Sequence, residues 1–230
     1  MKIKTISLLA FVVLSFGATA QRRFNLSMGP TAGANFSTLY GQLRNSAGVT
    51  DGEYKTRTGF NAGIFLNHSI KYWAGLRMEF LYSQLGANVS SADRLYEDIR
   101  LHYLQVPLLA TYFFGKENRP GVIRPKLFVG PHVGFKLGAR EKYRNESELR
   151  VTTGNYTGMD FSVTAGAGFN YALANQRWIN FDVRYGLGLV NVINRERVPN
   201  LNASNGALSV NLGFSFPLGN YSSNTGRFSR

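Results

Sequence analysis

Apolar residues recur at every second position through eight separate stretches of this chain, and that spacing constrains the fold more than any other feature. In 72–83 the even positions are Tyr72, Ala74, Leu76, Met78, Phe80 and Tyr82, and the odd ones are Trp73, Gly75, Arg77, Glu79, Leu81 and Ser83. On a helix Arg77 and Glu79 would fall within an apolar surface. On a strand, successive side chains point to opposite faces. One face is then apolar with a tyrosine at each end, and the other carries the two charges.

The same alternation returns along the chain. Phe24, Leu26, Met28, Ala32, Ala34 and Phe36 interleave with Ser27, Gly29, Thr31, Gly33 and Asn35, and Phe60, Ala62, Ile64 and Leu66 with Asn61, Gly63, Phe65 and Asn67. After 72–83 come Leu104, Val106, Leu108, Ala110 and Tyr112 against Tyr103, Gln105, Pro107 and Thr111. Then Leu127, Val129, Val133, Phe135 and Leu137 stand against Phe128, Gly130, His132, Gly134 and Lys136. Three more sets are led by Phe161, Ile179 and Leu208, with Asp160, Ser162, Asp182, Arg184, Asn211 and several glycines on the opposite face.

Eight strands of about ten residues each have the length that crosses a tilted bilayer. An even count lets the sheet close with both chain ends on one side, which removes its edges. The predicted fold is therefore all-β, a closed antiparallel eight-stranded up-and-down transmembrane β-barrel. The connections alternate in length. Those around 38–56, 88–100, 139–157 and 191–205 are long and polar, while 68–71 and 172–177 are short and "GKENRPGVIR" is intermediate. Long connections on one side and short turns on the periplasmic side are the pattern of outer-membrane barrels.

A soluble periplasmic barrel of the lipocalin type would show this alternation turned inside out, with a polar face dense in Lys, Glu and Asp. Here that face is mostly Gly, Ser, Thr and Asn. Its charges come in candidate pairs, Arg77 with Glu79 and Asp182 with Arg184, which suit a narrow packed interior. The apolar face ends in Tyr72, Tyr82, Tyr112, Tyr171 and Tyr185, as an interfacial aromatic girdle does. Arg77, Glu79, Asp182 and Arg184 are thus the candidate lumen charge network, structural in role. With about eight strands the interior is just filled by side chains, so no open pore is expected.

The N-terminus has a basic start, "MKIK", an apolar core, "ISLLAFVVLSF", and a small-residue site, "GATA". Residues 1–20 read as a signal peptide with cleavage near Ala20/Gln21, which predicts export. The barrel domain is placed at 21–216, and 217–230 as a short polar C-terminal tail. The chain has no cysteine, so stability must come without disulfides. Charged residues are 17%, below the roughly 25% of an average soluble domain. The net charge of +13 comes from scattered basic residues with no reader motif, so nucleic acid is not an expected partner.

The segments "GPTAGANFST", "TGFNAGIFLNHSI", "LRMEFLYSQLGA", "LHYLQVPLLATYFF", "LFVGPHVGFKLGA", "TAGAGFNYAL" and "FDVRYGLGLVNV" resemble, in this order, the PorT-like or porin-family outer-membrane β-barrel proteins of Gram-negative bacteria. The likeness covers nearly all of the chain after residue 20 and consists of strand texture rather than catalytic motifs. It implies a cell outer membrane location and a structural or interaction role. One branch of that family implies a part in protein secretion across the outer membrane. Such barrels usually finish on an aromatic residue; here Phe216 closes the last strand and 217–230 run on past it.

Of three histidines, His68 lies in a turn, His102 has lipid-facing parity near the long-loop rim and His132 has lumen parity. None have metal spacing. His132, Ser162 and Asp160 share inward parity and could form a hydrolytic set, but nothing marks Ser162 as a nucleophile, and they read as interior polar fillers. "TAGAGFNYA" lacks the strand-to-helix turn of a dinucleotide fingerprint, and its glycines read as letting a barrel wall bend or accept bulky neighbours. No catalytic, cofactor or metal residues are predicted, and no enzymatic activity. Expected partners are outer-membrane lipid, lipopolysaccharide and an envelope or secretion protein. "AREKYRNESELR" and "INRERVPN" read equally as solvated loops that bind nothing and as places of partner or lipopolysaccharide contact. A narrow channel and the soluble barrel are the competing readings.

Overall fold

The computed structural model describes residues 26–42, 53–90, 96–115, 119–143, 149–194, 196 and 202–218. The signal-peptide and cleavage-site readings, residues 219–230 of the tail and parts of the charged loops lie outside the described residues. Eight long strands form the wall: β1 (Leu26–Gln42), β2 (Arg57–Ser69), β3 (Ala74–Ser90), β4 (Tyr96–Phe113), β5 (Ile123–Tyr143), β6 (Met159–Ala172), β7 (Trp178–Gly188) and β8 (Asn202–Leu218). Each pairs antiparallel with its sequence neighbour. Pairing of β1 with β8, from Leu26↔Leu218 to Gln42↔Asn202, closes the ring. Two short strands extend it at the far end, Glu53–Lys55 on β3 and Leu149–Val151 on β5.

The outer face carries the predicted apolar set. Leu76, Phe80, Val183 and Phe214 are exposed on it, whereas Arg77 and Asp182 are buried. A soluble barrel would bury the first group and wet the second, so that reading is set aside. Tyr72, Tyr112 and Tyr171 lie at the short-turn end, joined by Trp73 and Phe114, whose rings lie 5.7 and 5.0 Å from Tyr112. Tyr82 and Tyr185 lie at the other end with Tyr40, whose hydroxyl meets that of Tyr185 at 2.5 Å. Among the described residues no helix is long and apolar enough to cross a membrane.

Several boundaries differ from the sequence reading. The strands run to 21 residues, well beyond the bilayer-crossing length, because the regions around 38–56, 88–100 and 139–157 begin or end as paired wall. His68 is not in a turn but pairs with Leu26 and Leu76 at the end of β2. The last strand ends at Leu218 rather than Phe216, since Ser27↔Pro217 continues the β1 ladder. In β5 a register shift between His102 and Tyr103 of β4 leaves Leu137 unpaired, and the inward parity changes from even to odd. Below it Lys126, Phe128 and His132 point inward; above it Ala139 and Glu141 do.

Candidate functional site

The lumen is filled in two layers. Nearer the short turns lies a charged layer that gathers all four predicted residues. Arg77 Nε is 2.5 Å from Glu79 Oε1, and Arg184 Nη1 donates to Glu79 Oε2 at 2.5 Å. Asp182 does not pair with Arg184, its neighbour on the same strand. It lies 3.2 Å from Arg77 Nη1 and 2.6 Å from Lys126 Nζ. Arg184 is taken instead by Glu79 on β3, while Arg77 and Lys126 reach Asp182 across the narrow lumen. Lys126, buried at 3% exposure, is absent from the predicted set. Its signal was inward parity one step before Phe128, just outside the alternation counted for that strand.

These five groups alternate in sign around β3, β5 and β7. An unpaired charge there would cost several kcal/mol, which explains why each buried carboxylate meets two cations. The guanidinium of Arg77 also stacks over Phe65 at 4.0 Å. With its amide oxygen toward β7, Asn211 accepts from Arg184 Nε at 3.1 Å and donates to Asn61 Oδ1 at 2.6 Å. Asn61 donates to Asn35 Oδ1 at 2.7 Å, and Asn35 to Ser83 Oγ at 2.8 Å. A polar relay thus links β7, β8, β2, β1 and β3. Gly168 makes room for it: a Cβ there would stand 2.1 Å from Phe181 O and 2.5 Å from Asp182 Oδ1. Packing around the ions, not strand bending, is what these β6 glycines allow.

Toward the long-loop end the lumen becomes apolar. Leu39, Leu85, Ala87, Val89, Ile99, Leu101, Tyr103, Ala139 and Ala203 form a continuous core from five strands, covered by Tyr156, Val192 and Ile193 from the connections. Tyr156 and Ile193 bridge, Thr157 N donates to Val192 O at 2.8 Å, and Asn194 N to Asn155 O at 2.8 Å. Lys136 Nζ ties the first segment down through Thr153 O, at 2.6 Å, and Tyr156 O. Tyr156 donates to the buried Glu141 at 2.7 Å. Much of this core falls in stretches read from sequence as polar loops.

The remaining candidates do not converge on a reactive centre. Ser162 donates to Asp160 at 3.4 Å, but His132 Nδ1 meets Thr164 Oγ1 at 3.0 Å instead of Ser162. Asp160 is held by Asn205, which donates at 2.8 Å. The base-to-hydroxyl contact that a hydrolytic set requires is therefore not made: His132 is engaged by Thr164 and the Ser162 hydroxyl by Asp160. His102 sits on the outer wall, accepting or donating at 2.6 Å with Tyr82 OH. Among the described residues no group of His, Asp and Glu has metal-binding placement.

A closed ring with an apolar belt, aromatic borders and a filled lumen defines an integral outer-membrane β-barrel. The chain belongs to the outer membrane protein beta-barrel domain family, whose model matches residues 19–194. Its place is accordingly the cell outer membrane. A search of curated proteins finds no match to the sequence. Solved structures of similar shape include Neisserial surface protein A, 16% identical over 82% of this chain and 97% of that one, with a TM-score of 0.46. The outer membrane protein OprG of Pseudomonas aeruginosa is 12% identical over 85% and 98%, TM-score 0.48. The attachment invasion locus protein Ail of Yersinia pestis is 16% identical over 84% and 99%, TM-score 0.43.

Proposed function

We propose that this protein works as a closed barrel whose role is structural or interactive, in the manner the PorT-like resemblance implies, and not as a channel or an enzyme. The observation that carries this reading is the double filling of the lumen. An ion path would have to cross both the charged layer, where Arg77, Glu79, Lys126, Asp182 and Arg184 engage one another, and the apolar core around Leu101 and Val192. Opening either layer exposes unpaired charge or buried hydrocarbon. The function then belongs to the surfaces: the lipid-facing wall, the long connections and the short-turn side. A place in an outer-membrane secretion assembly is one such interaction role.

The test is conductance of the purified full chain in planar lipid bilayers. Absence of discrete current steps across the accessible voltage range is the expected result. Reproducible single-channel steps would overturn the closed-barrel reading in favour of a narrow channel.

A further inference from the structure

The outer wall carries a cluster of cations at the long-loop edge of the apolar belt. Arg100 on β4 stands directly opposite Arg140 on β5, and one step further Asp98 stands opposite Lys142. Like charges opposed across two strands destabilise a sheet, so the Arg100–Arg140 pair needs a compensating anion. Asp98 serves only in part. It accepts from Arg57 Nε at 2.8 Å and from Arg100 Nε at 2.7 Å, which draws a third guanidinium into the same patch. Arg57 Nη1 is buried and has no hydrogen-bond partner among the described residues. Among the described side chains on this face, Arg57, Arg100, Arg140, Lys142 and Lys55 thus stand against two carboxylates, Asp98 and the outlying Glu53 of the short strand on β3.

The position of the patch selects its counter-ion. Directly below it on the same wall, Tyr82, Gln84 and His102 form a hydrogen-bonded polar border, Gln84 donating to Tyr82 OH at 3.3 Å. Below that border the wall becomes hydrocarbon-facing: Phe60, Phe80, Leu104, Phe135 and Leu137 are all exposed. Guanidinium forks that match phosphate thus stand above a strip that matches acyl chains. We propose that the β3–β5 wall holds one lipopolysaccharide molecule of the outer leaflet. Its lipid-anchored phosphate sits among Arg57, Arg100 and Arg140, and its acyl chains lie along Phe80, Leu104 and Phe135. This site lies outside the barrel and does not depend on whether the lumen conducts.

The experiment measures binding of three probes to the full chain in a zwitterionic detergent: rough lipopolysaccharide, the same preparation after enzymatic dephosphorylation, and inorganic phosphate. Rough lipopolysaccharide is expected to bind at one site. The double variant Arg100→Ala/Arg140→Ala is expected to lose roughly thirtyfold in affinity, as removal of two cations from an anionic headgroup implies. Arg177→Ala, in a turn at the opposite end, is expected to leave it unchanged. Both side chains of the double variant are on the outer wall, and the heat-modifiable band shift on a denaturing gel reports that it folds. The more conservative Arg140→Gln, which removes only the opposed charge, is expected to give an intermediate loss. Equal binding of the dephosphorylated lipid, equally tight binding of inorganic phosphate, or unchanged affinity in the folded double variant would each overturn the proposal.

Discussion

Glu79 accepts two guanidinium groups in a fully buried position, and much of the lumen's order follows from that one carboxylate. Its oxygens hold Arg77 from β3 itself and Arg184 from β7, so the group ties two parts of the wall together across the interior. Removing one partner of a buried ion pair leaves an uncompensated charge and costs about 3–5 kcal/mol. Glu79→Ala leaves Arg184 without a carboxylate and Arg77 with Asp182 alone. The variant is expected to unfold from lipid vesicles with a stability lower by at least about 3 kcal/mol, read by urea titration of tryptophan fluorescence. Glu79→Gln, which still accepts a hydrogen bond, is expected to lose less. Equal stability of wild type and Glu79→Ala would show that the cations find water or other acceptors in the lumen.

At the level of elements, the two segments that cap the apolar core set the state of the long-loop mouth. Val192 is fully buried between the strand side chains and the 152–157 segment. Val192→Glu places an unpaired carboxylate in that core and is expected to release both segments, read as new protease cleavage near 152–158 in an otherwise folded barrel. Conductance is expected to stay absent, because the ion layer beneath is untouched; current steps in this variant would assign the seal to the cap alone. The same region marks the limit of what the sequence disclosed. Period-two alternation located all eight strands and the inward direction of Arg77, Glu79, Asp182 and Arg184, because an apolar wall in lipid tolerates no slip of one residue. It did not reveal the apolar core, because Leu39, Val89, Ile99 and Val192 are scattered among polar residues. At that height the outer face meets water, so the alternation that marks a lipid-facing wall is lost. The bulge at Leu137 was equally silent: it reverses the inward parity without changing composition. Partners within the charge layer could not be read at all, since Lys126 reaches Asp182 through a register set by the closure of the whole ring.

For the whole molecule, closure fixes which ends share a side of the membrane. β1 begins and β8 ends beside each other at Leu26↔Leu218, on the side of the turns at 70–73 and 173–177. The apolar cap, the short strands and the cationic patch all lie on the other side. Outer-membrane barrels keep short turns in the periplasm, so the capped end faces outward. This orientation also puts the arginine patch against the outer leaflet, where the proposed lipid resides. The chain contains no cysteine, so single introduced thiols report orientation without background. Thr56→Cys sits at the capped end and Ala174→Cys in a short turn, and both positions are exposed. A membrane-impermeant maleimide applied to intact cells is expected to label Thr56→Cys alone, and Ala174→Cys only once the outer membrane is permeabilised. Labelling in the opposite order would invert the barrel, move the cationic patch to the periplasmic leaflet and leave its phosphate ligand to be sought among glycerophospholipids.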